Sequence, residues 1–75
     1  MVKQLIEYIV KQLVESPDAV TVTLNSEKQV LEVRVAKSDL GKVIGKEGQT
    51  VRAMRALVQA VGSEDIKDIV LTAAE

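Results

Sequence analysis

The segment Val43–Thr50, which reads VIGKEGQT, contains the only Gly-x-x-Gly of the 75-residue chain. Two of the four glycines therefore flank Lys46 and Glu47, directly after two branched aliphatic residues. Glycine adopts backbone conformations that other residues avoid, so the pair favours a tight turn between two helices. The spacing alone is common, and its meaning depends on the elements around it.

The chain before this turn predicts one helix followed by a β-hairpin. Residues 2–15 have an amphipathic pattern that Pro17 ends, because proline disfavours helical geometry in the residue before it. The apolar stripe is centred on Ile9 and consists of Leu5, Ile6, Ile9, Val10, Leu13 and Val14. Aliphatic residues then alternate with threonine in 20–24 and with charged residues in 31–35. Residues 25–28 are polar residues of the kind that favour a turn, so we expect an antiparallel hairpin with one face covered by helices.

Two helices are predicted around the glycine turn. Ser38 or Asp39 can cap a short helix over residues 39–44. A second helix starts near Gly48 or Gln49 and runs to Val61, with Gly62 placed as its stop. The spacing of its aliphatic residues predicts a core face that consists of Val51, Met54, Val58 and Val61.

The last predicted element is a strand over residues 66–72. The resulting order is helix, strand, strand, helix, glycine turn, helix and strand. We therefore expect an α+β fold of two layers, in which a three-stranded sheet is covered by three helices. Residues 1–75 are expected to form a single domain, which is large enough to bury a core and fold alone.

Composition argues against several kinds of site. The chain has no cysteine and no histidine, so it lacks thiolate metal sites and the commonest general base. Tyr8 is the sole aromatic residue. The carboxylate pair Glu64–Asp65 lies beside a predicted turn without a nucleophile nearby, so we expect no enzyme, metal or cofactor. The chain shows no signal-peptide pattern and no apolar stretch near the roughly 18 residues of a membrane span, so we expect a cytoplasmic protein.

Charge is unevenly distributed, although the net charge is only −1. The segment Arg34–Arg55 carries six basic and two acidic residues, a net charge of +4. The remainder carries four basic and nine acidic residues, a net charge of −5. The electric field at a site is set within about one Debye length, ~8 Å at physiological salt, so the basic segment around the glycine turn favours an anionic partner.

Four interpretations of the glycine turn follow from these residues. A nucleotide P-loop is excluded, because only three residues separate Gly41 from Gly45 and Glu47 stands where that pattern requires Ser or Thr. A purely structural corner needs no ligand. A backbone clamp for single-stranded nucleic acid would use two glycines without side chains, the amides of the next helix and the cation of Lys46. A DNA-reading helix-turn-helix would explain two arginines on one helix face, but such a domain normally uses a supporting helix rather than a hairpin.

The stretch Val43–Val51 resembles the Ile-Gly-x-x-Gly-x-x-Val/Ile signature of KH domains, in which this loop grips about four nucleotides. The resemblance extends over the whole chain, since the predicted element order matches the type II arrangement with its extra helix and strand at the N-terminal end. A stand-alone domain of this length is similar to the small bacterial RNA-binding proteins of the KhpA family. The resemblance implies an RNA chaperone or post-transcriptional regulator that forms a homodimer, or a heterodimer with a second KH protein, KhpB.

The same resemblance implies which residues bind single-stranded RNA. Gly45–Gly48 would form the clamp, and Ile44 would help to line an aliphatic base groove. Val33 and Val35, or their neighbours on that strand, would lie near the opposite wall of the groove. Because Glu47 makes the loop tip only half basic and aromatic side chains are nearly absent, we expect modest affinity without base stacking. Together with the basic segment, the full predicted set is Val33, Arg34, Val35, Gly41, Lys42, Ile44, Gly45, Lys46, Glu47, Gly48, Gln49, Thr50, Arg52 and Arg55. A protein-interaction module that uses the same surface is the alternative.

Overall fold

The computed structural model describes residues 2–61 and 66–74. Over these residues the chain forms three α-helices and three β-strands in the predicted order, so the prediction of an α+β fold is confirmed. The helices are α1 (Val2–Leu13), α2 (Leu40–Ile44) and α3 (Gln49–Ala60), and the strands are β1 (Thr21–Asn25), β2 (Val30–Ala36) and β3 (Asp68–Ala74). Single 3₁₀ turns lie at Pro17–Ala19, Lys37–Asp39 and Lys46–Gly48.

β2 is the central strand of a sheet with the order β1-β2-β3. It pairs with β1 in antiparallel orientation, which confirms the hairpin, and Val22 lies opposite Val33. It pairs with β3 in parallel, and here Leu31 lies opposite Ile69. The chain passes through α2 and α3 before it reaches β3, and a helical crossover of this kind allows neighbouring strands to run parallel. The sequence pattern predicted the third strand but not its partner.

The hydrophobic core lies between one face of the sheet and the three helices. Its most deeply buried side chains are Ile6, Val10, Val22, Leu31, Val33, Val35, Val43, Met54, Val58 and Ile69. The predicted core face of α3 is confirmed for Val51, Met54 and Val58. Val61 is 50% exposed, because α3 ends at Ala60 and Val61 lies in the turn that follows. The other face of the sheet is not covered by any described helix.

The buried face of α1 is centred on Ile6 and Val10, and not on Ile9 as predicted. Ile6 and Val10 have no exposed surface, whereas Ile9 is only partly buried. Leu5 and Leu13 are each 38% exposed. The apolar stripe of α1 contains two parallel rows of aliphatic side chains, and packing against the sheet selects one of them.

Asp39 joins the end of α1 to the start of α2. The helix ends at Leu13, and the amides of Glu15 and Ser16 donate to Oδ1 and Oδ2 of Asp39 over 3.2 Å and 3.1 Å. The Asp39 side chain is almost completely buried, and Nζ of Lys42 donates to it over 3.5 Å. Asp39 occupies the N-cap position of α2 but makes no capping hydrogen bond there. The predicted capping role is therefore wrong, and the carboxylate instead holds the segment after α1.

The ionisation of Asp39 favours the folded chain. Burial by itself raises the pKa of this carboxyl group, but the hydrogen bonds from the two backbone amides and from Lys42 outweigh burial. The pKa of Asp39 therefore lies below its ordinary value of 3.8. The ionised carboxylate thus ties α1 to the helix that precedes the glycine turn.

Two predictions concern residues outside the described ranges, namely Gly62 as the stop of α3 and the carboxylate pair Glu64–Asp65. Within the described ranges, no helix is long and apolar enough to cross a membrane. α1 and α3 have 12 residues each, whereas a transmembrane helix needs about 20.

Candidate nucleic-acid interface

The glycine turn between α2 and α3 is a loop with three positive φ angles. Gly45 has φ +78° and ψ 173°, and Gly48 has φ +75° and ψ 16°. Glu47 lies between them with φ +56°. A left-handed backbone is uncommon for a residue with a side chain, so Glu47 occupies a strained position at the loop tip. The tight turn that the Gly-x-x-Gly spacing predicted is present.

The two glycines of the loop are required for different reasons. A Cβ atom on Gly45 would lie 2.8 Å from Cβ of Thr50 and 2.9 Å from its backbone nitrogen, too close for any side chain. The φ and ψ angles of Gly45 are also accessible essentially only to glycine. A Cβ atom on Gly48 would meet nothing closer than Nε of Arg52 at 4.0 Å, so only its φ angle favours glycine. Gly45 therefore allows the loop to pack closely against Thr50 of α3, and Gly48 provides the left-handed N-cap residue from which α3 begins.

The loop presents backbone donors at its tip. The amide of Gly48 donates to the carbonyl of Gly45 over 3.1 Å and closes the turn. Among the described residues, the amides of Lys46 and Glu47 donate to no acceptor. In the part of the chain that the structure describes, no side chain caps the N-terminus of α3, where the helix dipole adds a partial positive charge. Adjacent unoccupied amides beside a helix N-terminus form a surface suited to an anion.

The guanidinium group of Arg52 is bound to the carbonyl side of this loop. Its Nη2 atom donates to the carbonyl of Glu47 over 2.7 Å, and its Nε atom donates to the carbonyl of Gly48 over 3.3 Å. Arg52 was predicted to bind RNA from its charge, and its bonds to the loop carbonyls were not predicted. The i,i+4 spacing from Gly48 is the signal that could have suggested them, because residues four apart share a helix face.

Ion pairs reduce the positive charge of the basic segment. Nζ of Lys42 lies 2.9 Å from a carboxylate oxygen of Glu15, and Nε of Arg55 lies 2.6 Å from a carboxylate oxygen of Asp68. The hydrogen bond to Glu15 is the main cause that raises the pKa of Lys42 above its ordinary value. Lys42 and Arg55 were predicted to contact RNA, but each is bound to a carboxylate from outside the basic segment. Their positive charge is therefore largely compensated within the fold.

Lys46 and Arg52 are the cations that remain beside the loop without a carboxylate partner among the described residues. Lys46 is exposed at the tip, next to the exposed carboxylate of Glu47. These three side chains sum to a charge of +1. The local positive field is therefore smaller than the charge of the whole basic segment indicated, and the backbone amides contribute a larger share of it.

Two residues of α2 before the loop, Ile44 and Gly41, leave a surface that a ligand could reach. Ile44, the last residue of α2, is 36% exposed, whereas Val43 is completely buried. Gly41 lies in the first turn of α2, and a Cβ atom there would meet no atom within 4 Å. Packing does not require this glycine, although glycine weakens a helix by roughly 0.5–1 kcal/mol relative to alanine. The surface of α2 is thus accessible to a ligand that approaches its backbone closely.

The three predicted residues of β2 do not join this surface. Val33 and Val35 are completely buried, so their side chains cannot line a base groove, and that prediction is corrected. The alternation of the strand directs both valines into the core and directs Arg34 to the uncovered face of the sheet. There Arg34 lines a shallow depression of about 230 Å³ together with Thr21, Thr23, Glu32 and Thr72.

The candidate interface is therefore built by α2, the loop and the first turns of α3. It contains the predicted residues Gly41, Ile44, Gly45, Lys46, Glu47, Gly48, Gln49, Thr50 and Arg52. Gln49 is exposed and Thr50 is partly buried against Gly45. This surface combines amide donors, one mobile cation and an aliphatic side chain.

Known proteins with similar sequences share most of their length with this chain. The family model described as "KhpA/KhpB, KH domain" matches residues 3–72. The RNA-binding protein KhpA of Streptomyces coelicolor is 44% identical over 69 residues, which cover 89% of this chain and 87% of the relative. The RNA-binding protein KhpA of Clostridium acetobutylicum is 42% identical over 71 residues, which cover 92% of this chain and 95% of the relative. The one in Aquifex aeolicus is 43% identical over 75 residues, with coverages of 97% and 95%. No solved structure is a significant match to the chain.

Proposed function

The chain belongs to the KhpA/KhpB family of KH domains, and from this premise we propose that it binds single-stranded RNA without catalysing a reaction. The relatives are named RNA-binding proteins, and the family assignment supports RNA as the ligand. The observation that carries the proposed site is the pair of unoccupied amides at Lys46 and Glu47, in a loop whose glycines keep side chains away.

The loop would bind the sugar-phosphate backbone. A phosphate at the tip would accept hydrogen bonds from the amides of Lys46 and Glu47, and the N-terminus of α3 would add its dipole. The ammonium group of Lys46 supplies the one mobile cation at this position. The absence of a side chain on Gly45 and Gly48 allows the RNA backbone to approach the protein backbone directly. We expect modest affinity, because the carboxylate of Glu47 opposes this attraction.

The bases would lie along α2. Ile44 offers an exposed aliphatic surface, and Gly41 leaves the helix backbone accessible. The sole aromatic residue, Tyr8, belongs to α1, so the loop surface has no aromatic ring on which a base could stack. Binding would therefore rely on apolar contact and on hydrogen bonds to base edges rather than on stacking.

Association with a second KH domain would strengthen this weak site. One loop with one unpaired lysine provides few phosphate contacts, and linking two such loops raises the effective concentration of the second contact. We therefore propose that the chain acts as a homodimer or together with KhpB, as an RNA chaperone or post-transcriptional regulator in the cytoplasm.

Titrations with labelled nucleic acids of matched sequence test the proposed function. Single-stranded RNA should bind more tightly than duplex RNA or duplex DNA, because unpaired bases are required for contact with α2. Its affinity should fall as salt rises, with a slope of about −0.7 per phosphate contact in a log–log plot. Equal binding of duplex DNA would favour a helix-turn-helix mode, and no binding of any nucleic acid would favour the protein-interaction module.

A further inference from the structure

The two hydrogen bonds of Arg52 bind the carbonyl groups of Glu47 and Gly48, the two consecutive left-handed residues of the loop. Glu47 and Gly48 are consecutive residues with φ angles of +56° and +75°. The carbonyl of Glu47 accepts from Nη2 of Arg52 at 2.7 Å, and the carbonyl of Gly48 accepts from Nε at 3.3 Å. Neighbouring nitrogens of one rigid guanidinium plane thus bind neighbouring carbonyls, a geometry that a lysine ammonium group cannot reproduce.

These bonds affect which groups the loop offers to a ligand. A carbonyl oxygen carries partial negative charge and repels a phosphate, whereas an amide attracts it. Arg52 occupies the carbonyls of Glu47 and Gly48, while the amides of Lys46 and Glu47 have no acceptor among the described residues. The loop therefore presents donors at its tip and keeps two acceptors against Arg52. This separation depends on the left-handed conformation of Glu47, which a residue with a side chain adopts only at a cost.

We propose that Arg52 is a positioning residue for RNA binding, which acts through the loop and not as a phosphate contact. By binding the carbonyls of Glu47 and Gly48, it stabilises the left-handed backbone and keeps the amides directed outward. This inference rests on the proposed RNA-binding function and assigns a different role to Arg52 than its charge alone suggested. Lys46 then remains the side chain that meets the phosphate.

The variants Arg52→Lys and Arg52→Gln separate the two roles. If Arg52 positions the loop, both variants lose affinity for single-stranded RNA by a similar factor, on the order of tenfold. In the free protein, the amides of Gly48 and Gln49 close the turn by donating to Gly45 and Lys46, and their hydrogen exchange should become several-fold faster in both variants. Lys28→Gln, which removes one positive charge from the exposed hairpin turn between β1 and β2, is the control that should change neither measurement.

A charge contact with phosphate gives a different pattern. Wild-type affinity in Arg52→Lys, or unchanged exchange of the Gly48 and Gln49 amides in both variants, would overturn the positioning role. The exchange measurement needs no RNA, so it tests Arg52 even if the wild-type chain proves not to bind RNA. If the wild-type chain does not bind RNA, the proposed function is refuted. The exchange rates of the Gly48 and Gln49 amides would still show whether Arg52 stabilises the loop.

Discussion

Gly45 and Thr50 lie so close together that a Cβ atom on Gly45 would come within 2.8 Å of Cβ of Thr50. Thr50 belongs to the first turn of α3, so this contact sets how closely the loop folds back on the helix that follows it. Gly48 has no comparable contact, since a Cβ atom there would reach only Nε of Arg52 at 4.0 Å. The same Gly-x-x-Gly spacing thus contains one glycine required by packing and one required by its φ angle alone.

Asparagine substitutions should distinguish these two glycines. Asparagine tolerates the left-handed conformation of Gly48, so Gly48→Asn should change the free energy of unfolding only slightly. Gly45→Asn should cost about 1–3 kcal/mol, because the angles of Gly45 exclude other residues and Thr50 leaves no room. Urea denaturation of the two variants measures the difference, and equal costs would show that the contact with Thr50 is relieved easily.

Gly41 provides a test of how far the RNA surface extends along α2. A Cβ atom at this position would meet nothing within 4 Å, so Gly41→Ala should stabilise the fold by roughly 0.5–1 kcal/mol. If RNA approaches the backbone of α2, the added methyl group should lower RNA affinity in the same variant. A thermal melt and an RNA titration on one preparation check both effects. Higher stability with unchanged affinity would place α2 outside the interface.

Local patterns predicted the order of the elements because each pattern reports on neighbouring residues. The alternation in 31–35 indicated which residues of β2 face the core, and all three of its inward residues are buried. The same alternation excludes Val33 and Val35 from the surface, which the family resemblance had placed near the groove. The row of α1 that packs on the sheet, and the parallel partner of β3, depend on contacts between distant segments and were not accessible from local patterns.

The candidate site was predicted in its position but not in its charge. The Gly-x-x-Gly located the loop, and its geometry follows from the two glycines. The basic segment has a net charge of +4, but Glu15 and Asp68 form ion pairs with its residues Lys42 and Arg55. Both acids lie outside the segment in sequence and reach it only in the folded chain. Charge counted along a sequence therefore overstated the field at the loop.

Ile6 should contribute more packing energy to α1 than its neighbour Leu5 does. It has no exposed surface, whereas Leu5 beside it is 38% exposed. Ile6→Ala should lower the free energy of unfolding by about 2–5 kcal/mol, because it leaves a cavity in the core. Leu5→Ala deletes a similar volume at the edge of the helix and should cost clearly less. Chemical denaturation of both variants compares them, and a larger cost for Leu5→Ala would contradict the observed burial.

The stability of the fold should depend on the ionisation of Asp39. Its pKa in the folded chain lies below the ordinary value of 3.8, so the ionised carboxylate contributes its full stabilisation above about pH 4. That contribution is lost as the pH falls through the lower, folded pKa. Asp39→Asn should therefore lower the free energy of unfolding near neutral pH. As the pH falls, the free energy of unfolding of this variant should decrease less steeply than that of the wild-type chain. Denaturation midpoints measured between about pH 2 and pH 6 check this.

Asp18→Asn is the matched control for that experiment, because Asp18 is an exposed carboxylate in the segment between α1 and β1. It should leave both the neutral stability and the acid decline close to those of the wild-type chain. A similar acid profile for Asp39→Asn and the wild type would show that the carboxylate does not link α1 to α2 as the hydrogen bonds indicate.

The loop tip can be made negative without disturbing its glycines. Lys46 and Glu47 are both exposed, and aspartate tolerates the left-handed φ angle of Glu47. The double variant Lys46→Asp with Glu47→Asp should therefore melt like the wild type. Glu27→Asp with Lys28→Asp makes the same change of charge in the exposed hairpin turn between β1 and β2 and serves as the control.

The affinity of the tip variant for single-stranded RNA is the most direct test of the phosphate-binding loop. Two negative charges would lie where the phosphate is proposed to bind, against a wild-type tip that sums to zero. We expect a loss of affinity of tenfold or more, roughly 1.4 kcal/mol, and a much smaller loss for the hairpin control. Wild-type affinity in a tip variant that melts normally would contradict RNA binding by this loop.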